Sequence, residues 1–141
     1  MALAFDISGL SAFIAAEFPQ AASEFEILEL TEDTTLVSLA PSERHLRPGG
    51  TISGPAMFML ADCAIYYAIL ARIGPKALAV TTNAAIDFMR KPEAGKTLLA
   101  RVEVLKLGRS LAVCEARLFN EGAEAKPVAR ASMTYSIPPE R

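Results

Sequence analysis

The sequence has few of the residues that build metal sites and disulfide frameworks. It contains one histidine, His45, and two cysteines, Cys63 and Cys114. Neither cysteine belongs to a pair with metal-ligand spacing, so no metal site is expected. Both cysteines lie within apolar runs, which is typical of buried, reduced thiols in a cytoplasmic protein.

The sequence also lacks an excess of basic residues. The 14 lysines and arginines are scattered among 16 aspartates and glutamates, for a net charge of −2. This balance argues against nucleic acid as the main partner. The first ten residues lack the basic start of a secretory signal and already contain Asp6.

No repeat or linker divides the chain, and its 141 residues are enough for one domain, 1–141, with its own core. The hydrophobic fraction of 52% is high for a small monomer. It predicts that some apolar surface is buried between subunits.

The longest apolar run, residues 54–74, predicts one helix around which the rest of the chain is organised. Ser53 is a good N-cap, Pro55 fits the first turn, and Gly74 is a good C-terminal cap. The run is apolar on every side, which is typical of a buried helix. Its single internal charge and the strands predicted after it favour a core helix over a membrane span.

That single charge is Asp62, the only one between residues 53 and 71. Its helical neighbours three and four residues away are all apolar or aromatic, so no basic residue of the same helix can pair with it. An ionised carboxylate in these surroundings is costly unless another element supplies donors. A functional carboxylate is therefore favoured over a structural one bonded to loop amides or one exposed at a gap in the packing.

The remaining segments predict a short helix and six strands. The helix covers residues 8–18 and is stopped by Pro19, and a loop covers residues 40–52. Strands are predicted at 25–30, 34–39, 78–89, 97–107, 111–119 and 128–137. Three of the last four have a face of small residues, which lets a sheet approach a helix closely. We therefore expect an α+β fold in which an antiparallel sheet wraps around the long helix.

This order of elements resembles the hotdog fold, and three motifs resemble hotdog thioesterases related to the phenylacetate-pathway enzyme, the PaaI-like proteins. The run from Gly54 to Asp62 is similar to the family's Leu-Ala-Asp signature at the start of its central helix. Residues 88–92 are similar to its Phe/Tyr-x-x-Pro strand end, and residues 108–110 to its Gly-Arg/Lys-Ser/Thr turn. The resemblance extends from about residue 25 to residue 137.

The resemblance implies an acyl-CoA thioesterase that needs no cofactor, because coenzyme A is part of the substrate. It implies that Asp62 acts as general base or nucleophile and that the Gly54 amide polarises the thioester carbonyl. The helix start carries free amides and a positive dipole end that suit this second role. The resemblance also implies a homodimer, often paired into a homotetramer, whose active site lies between subunits. It implies that the partner's strand after the helix contributes to this site and that basic residues bind the coenzyme. The residues implied for substrate and coenzyme contacts are Ser53, Arg47, Thr81, Thr82, Asn83, Arg90, Lys91, Arg109 and Ser110.

The sequence departs from the family signature at three positions, which keeps other functions open. Ser53 stands in place of the signature histidine, Pro55 in place of its second glycine, and Arg47 where many members have asparagine. A module that binds acyl-CoA without turnover is the main alternative. A dehydratase is disfavoured, because the helix carries no histidine.

Several other motifs admit a simpler interpretation. His45 is a general base or, more simply, a surface or loop-bonding histidine. Residues 47–50 form a phosphate-binding loop or a plain turn, and residues 108–110 form a hairpin turn. Nothing in the sequence lowers the pKa of Cys63, so it is interpreted as a small buried residue.

Overall fold

The computed structural model describes residues 2–139 as one antiparallel sheet wrapped around a long helix. The six strands are ordered β1-β2-β4-β5-β6-β3, so β1 and β3 form the two edges. The helices are α1 (Ile7–Glu17), α2 (Pro19–Ala22) and α3 (Gly54–Ile73), and the strands are β1 (Phe25–Leu30), β2 (Thr35–Leu39), β3 (Val80–Phe88), β4 (Leu98–Leu107), β5 (Leu111–Asn120) and β6 (Ala129–Ser136).

Helix α3 has the caps that the sequence predicts. The Ser53 hydroxyl accepts a hydrogen bond from the Ala56 N–H at 3.3 Å, and Pro55 lies in the first turn. At the other end, Gly74 adopts a φ of 90° and donates its N–H to the Leu70 carbonyl. A residue with a side chain rarely adopts this φ, which explains why glycine ends the helix.

Small side chains allow the sheet to curve closely around α3. Alternate residues of β5 and β6 point at the helix and are buried, as the sequence predicts. The buried residues of these two strands that face the core are Ala112, Cys114, Ala116, Leu118, Ala129, Ala131, Met133 and Tyr135. Close approach of sheet and helix follows from this composition.

The sheet leaves one stripe of α3 uncovered, so the prediction of a helix buried on every side is wrong for its N-terminal half. Pro55, Phe58 and Met59 are exposed and Asp62 is half-buried. Phe58, Met59 and Asp62 follow Pro55 by three, four and seven positions, so the four residues share one face of the helix. The candidate carboxylate thus lies on an apolar stripe that faces outwards.

Strand β3 is an edge strand whose outer side has no neighbour among residues 2–139. All of its residues are exposed or intermediate, including Val80 and Phe88, which are 55% and 52% exposed. Such a long, apolar edge is a ready template for pairing with another chain. The burial of apolar area between subunits stays a prediction.

Several of the predicted boundaries need correction. Helix α1 begins at Ile7 because Asp6 caps it, accepting from the Gly9 N–H at 2.7 Å. Pro19 ends α1 but also starts the one-turn helix α2, since proline suits a first helical turn. Strand β3 is shorter than predicted, and the loop before α3 contains a 3-10 turn at Glu43–His45.

Helix α3 is long and apolar enough to cross a membrane by length and composition, but 78% of its most apolar window is buried inside the fold. The sheet supplies the apolar surroundings that this helix requires. Its hydropathy is accounted for by its place in the core.

Candidate active site

The Asp62 carboxylate receives its donors from the sheet. The Thr81 hydroxyl of β3 donates to Asp62 Oδ1 at 2.7 Å, and the Tyr135 hydroxyl of β6 donates to the same oxygen at 2.6 Å. Tyr135 also lies 3.1 Å from the backbone carbonyl oxygen of Asp62. These contacts satisfy the requirement that the sequence set, namely that another element stabilises the isolated carboxylate.

The two oxygens of this carboxylate are not equivalent. Oδ1 is held by two hydroxyls, whereas no donor within residues 2–139 lies within hydrogen-bonding distance of Oδ2. The two bonds to one oxygen fix the plane of the carboxylate. They leave the second oxygen with its lone pairs free to accept a proton or to attack a carbon.

Two neighbouring groups are held in their protonated forms. Burial, followed by the charge of Asp62, raises the pKa of Tyr135, so its hydroxyl acts as a donor at neutral pH. Burial and then the charge of Asp62 raise the pKa of Cys63 to about 12. Cys63 is therefore a neutral thiol at neutral pH and a buried packing residue, as the sequence predicts.

A depression of about 480 Å³ lies against Asp62. Beyond the carboxylate and its Thr81 and Tyr135 partners, most of its wall is apolar or aromatic. The other side chains that line it include Glu17, Phe18, Met59, Cys63, Tyr66 and Val80.

The Gly54 amide lies in a separate depression of about 380 Å³ at the start of α3. Pro55 has no N–H, and the Ala56 N–H is bonded to Ser53, so Gly54 carries the free amide of this first turn. No acceptor among residues 2–139 takes its proton. The Phe88 ring lies 3.5 Å from the position that a Cβ at residue 54 would occupy.

Basic residues surround this second depression. Arg47, Arg90 and Lys91, three of the residues implied for substrate or coenzyme contacts, all line it. The Arg90 guanidinium also donates to the Pro127 carbonyl at 2.9 Å, which fixes one of its nitrogens. A free helix-start amide next to three cations is suited to binding anionic oxygens.

One chain does not bring the two candidate catalytic groups together. Gly54 and Asp62 are eight residues apart on α3, and at about 1.5 Å per residue this separates them by about 12 Å along the axis. A thioester carbonyl held by Gly54 is therefore out of reach of Asp62 in the same chain.

The remaining predicted residues lie elsewhere. The resemblance implied that Thr81 acts on a partner's site, but Thr81 contacts Asp62 of its own chain, because β3 lies beside β6 next to the helix. Thr82 sits in a bulge of β3 and donates to the Thr134 carbonyl, and Asn83 is exposed. Arg109 and Ser110 line a third depression beside Ile73, at the opposite end of α3 from Gly54.

His45 is a loop-bonding histidine, not a surface one. It is 3% exposed; its Nδ1 accepts from the Ser42 N–H at 3.1 Å, and its Nε2 lies 2.9 Å from a Glu24 carboxylate oxygen. The His45 carbonyl accepts from the Ser53 N–H at 2.8 Å. His45 therefore helps to fix the loop that leads into α3 and lines neither the Asp62 nor the Gly54 depression.

Tyr135 is the site residue that the sequence analysis missed. Its alternation with buried residues correctly predicts that it faces the core. The sequence could have indicated its role through its hydroxyl, because the O–H of a buried tyrosine requires a hydrogen-bond acceptor. Asp62 was the isolated carboxylate that needed a donor.

Comparison with known proteins identifies the family of this chain. The family model of the thioesterase superfamily matches residues 49–126, which include α3 and the strand that supplies the Thr81 donor. This chain belongs to the thioesterase superfamily. Its fold is the hotdog fold, and it is PaaI-like, as the resemblance implied.

Three similar proteins illustrate this membership. A Silicibacter sp. TM1040 protein, provisionally named a thioesterase, is 57% identical with a TM-score of 0.91, over 99% of this chain and 96% of that one. A variant of the phenylacetic acid degradation protein PaaI from Thermus thermophilus is 28% identical with a TM-score of 0.70, over 90% and 99% of the two chains. A Pseudomonas aeruginosa protein, provisionally named an esterase, is 32% identical over 73% of this chain and 75% of its own length.

Proposed function

We propose that this chain is an acyl-CoA thioesterase that hydrolyses a thioester to a free acid and coenzyme A, with Asp62 as its reacting carboxylate. The observation that carries this proposal is the asymmetry of that carboxylate, with Oδ1 held by Thr81 and Tyr135 and Oδ2 free. Membership of the thioesterase superfamily supports the class of reaction.

Each active site is formed by two chains, Gly54 from one and Asp62 from the other. The separation of about 12 Å within one helix requires this arrangement if both groups act on one carbonyl. Residue 58 is midway between residues 54 and 62. When two α3 helices pack antiparallel about a twofold axis near residue 58, residue 54 of each helix therefore lies opposite residue 62 of the partner. Phe58 is 37% exposed on the uncovered stripe, as an apolar contact at such an axis requires.

The unpaired edge strand supports the same assembly. Antiparallel pairing of β3 with its copy joins two six-stranded sheets and satisfies the free backbone groups of the edge. It also covers the exposed side chains of Val80 and Phe88 at the two ends of the strand. A homodimer is therefore the smallest assembly that completes the site.

In this site the free Oδ2 of Asp62 accepts a proton from a water molecule while the water oxygen attacks the thioester carbon. The carbonyl oxygen becomes an oxyanion held by the partner's Gly54 N–H at the positive end of the helix dipole. The carbon–sulfur bond then breaks, and the thiolate takes the proton from Asp62. Alternatively, Oδ2 attacks the carbon directly, the carbon–sulfur bond breaks, and the coenzyme A thiolate leaves an anhydride behind. Water then opens the anhydride to the free acid and the Asp62 carboxylate, and the proton released neutralises the thiolate.

The coenzyme binds on the side of the chain that supplies Gly54. Arg47, Arg90 and Lys91 line the same depression as that amide, and guanidinium and ammonium groups suit phosphate oxygens. The acyl group then extends towards the partner's Asp62 depression, whose wall is mainly apolar. The charged and apolar parts of an acyl-CoA thus meet surfaces of matching polarity.

The test is thiol release from short, medium, long and aromatic acyl-CoAs by the wild type and by Asp62→Asn. We expect hydrolysis of at least one substrate and a fall in kcat of about 10²- to 10⁴-fold in the variant, the usual contribution of a general base. Asp33→Asn, which changes an exposed turn carboxylate, is the matched control and should retain wild-type activity.

Hydrolysis by Asp62→Asn at the wild-type rate would overturn the mechanism. No thiol release from any substrate, together with saturable binding of a nonhydrolysable acyl-CoA thioether, would instead show a binding module and overturn the proposed activity.

A further inference from the structure

The corner between α1 and α2 presents an exposed aromatic ring on a fixed backbone. Phe18 is 37% exposed, yet it ends α1 and caps α2. Its N–H donates to the Ile14 carbonyl at 2.7 Å, and its carbonyl accepts from the N–H groups of Ala21 and Ala22 at 3.1 Å each. The ring is thus exposed in one defined place, which is not the behaviour of a frayed terminus.

A series of rings connects this corner with the candidate carboxylate. Tyr135, which bonds Asp62, stacks on Tyr66 with a centroid separation of 6.1 Å. Tyr66 lies one helical turn beyond Asp62 and meets the Phe18 ring edge-on, also at 6.1 Å. The hydroxyl of Tyr66 is bonded to the Ala77 carbonyl at 2.7 Å, which fixes the middle ring.

All three rings line the Asp62 depression, together with Met59 and Cys63. An apolar group that enters beside Asp62 and follows Tyr66 therefore meets the Phe18 ring. Aromatic side chains at the end of a pocket limit the length of its ligand because they cannot collapse out of the way at low cost.

Phe18 lies outside residues 49–126, the part of the chain that the superfamily model matches. The reacting carboxylate and its Thr81 donor come from that shared part, whereas this wall comes from the segment before it. An N-terminal corner that reaches a shared site is well placed to set the specificity of one member of a superfamily.

We propose that Phe18 forms the distal wall of the acyl pocket and restricts the enzyme to compact acyl groups. This inference rests on the proposed thioesterase function. A long acyl chain is rejected because its end collides with the Phe18 ring, and a small one is accepted because Tyr66 and Met59 cover it. Phe18 is a specificity-determining residue and takes no part in bond making.

The test compares acyl-CoAs of increasing chain length on the wild type, Phe18→Ala, Phe18→Leu and Phe18→Trp. We expect Phe18→Ala to raise the ratio of kcat/KM for longer over shorter chains by about tenfold, the low end of the effect of one methylene in an apolar pocket. Phe18→Leu should give a smaller rise and covers the case in which the alanine variant does not fold. Phe18→Trp should lower the ratio.

Phe13→Ala is the matched control. Phe13 lies on α1, five residues before Phe18, and packs against the Phe5 ring at 5.6 Å, outside the Asp62 depression. Phe13→Ala removes a ring of the same size from the same N-terminal region and should leave the chain-length preference unchanged. Equal preferences in the wild type and all three Phe18 variants would overturn the proposal.

A second readout separates this inference from the proposed function. The dissociation constants of nonhydrolysable acyl-CoA thioethers, measured on Asp62→Asn with and without Phe18→Ala, report the pocket without turnover. A change in chain-length preference there supports the wall even if hydrolysis fails to depend on Asp62. If hydrolysis depends on Asp62 but Phe18→Ala changes neither the kinetic nor the binding preference for chain length, the proposed role of Phe18 is wrong and the proposed thioesterase function stands.

Discussion

Replacing Tyr135 by phenylalanine removes one oxygen atom from the candidate site and keeps the ring that stacks on Tyr66. That oxygen donates to Asp62 Oδ1 at 2.6 Å and lies 3.1 Å from the Asp62 carbonyl. Without it, Thr81 alone holds the carboxylate. A carboxylate with one donor can rotate, and Oδ2 loses its fixed direction towards the reacting carbon.

The size of the effect follows from the kind of bond that is lost. A hydrogen bond to a charged group contributes about 1.5–3 kcal/mol, and each 1.4 kcal/mol corresponds to roughly a tenfold change in rate. We therefore expect Tyr135→Phe to lower kcat by roughly 10- to 100-fold with little change in KM, since substrate does not contact this hydroxyl. Adding Thr81→Val should lower kcat by more than the product of the two single effects, because the last donor is then lost.

Steady-state thiol release on the best acyl-CoA substrate measures both parameters. Tyr67→Phe is the matched control, because it removes the same atom from a tyrosine of α3 whose buried hydroxyl has no hydrogen-bond partner among residues 2–139. It should keep wild-type kcat. If Tyr135→Phe and Tyr67→Phe have equal kcat values, Tyr135 does not orient the carboxylate and the reasoning is wrong.

Three further predictions concern other parts of the fold. Gly54→Pro removes the amide proton at a helical position that favours proline and should lower kcat by about 10²- to 10³-fold, the usual effect of one lost oxyanion donor. Gly54→Ala keeps the proton and is the control. Equal activity of the two variants would show that this amide is not an oxyanion donor. Hydrogen bonding to Arg44 lowers the pKa of Glu24 from its usual 4.5. The ionised Glu24 therefore contributes its full stabilisation of the folded state at pH 7, and this contribution is lost as the pH falls below 4.5 and through the lowered pKa. The urea midpoints of wild type and Glu24→Gln should therefore differ at pH 7 and converge at low pH, and a constant difference would contradict this. Arg72 is 9% exposed and donates to the Thr31 and Ala68 carbonyls. Arg72→Met should therefore lower the free energy of unfolding, measured in urea, by about 2–4 kcal/mol. A loss below about 0.5 kcal/mol would contradict this structural role.

The sequence predicted the architecture because its signals are local. Ser53 and Gly74 mark the ends of α3 through capping chemistry that depends only on neighbouring residues. Alternation along β5 and β6 identifies the residues that face the helix, including Tyr135. The isolation of Asp62 within an apolar helix was likewise visible without any knowledge of tertiary contacts.

The parts that could not be predicted depend on how distant segments meet. The choice of Tyr135 and Thr81 as donors is set by strand order, which places β6 next to β3 although β4 and β5 lie between them in sequence. The uncovered stripe at Phe58 is set by the extent of the sheet, which helix periodicity does not report. The capping role of Asp6 was missed because Ser8 also suits a helix start.

The measurement that tests the central claim most directly is complementation between Gly54→Pro and Asp62→Asn, each of which is expected to be at least about 100-fold less active than the wild type on its own. If Gly54 of one chain acts with Asp62 of the other, a mixed dimer has one site with both groups intact and one with both removed. After denaturation and refolding of an equal mixture, we expect about one quarter of wild-type thiol release, because half of the twofold dimers are mixed and each has one working site. Mixed dimers that form but show no activity above that of the separate variants would contradict a site shared between two chains.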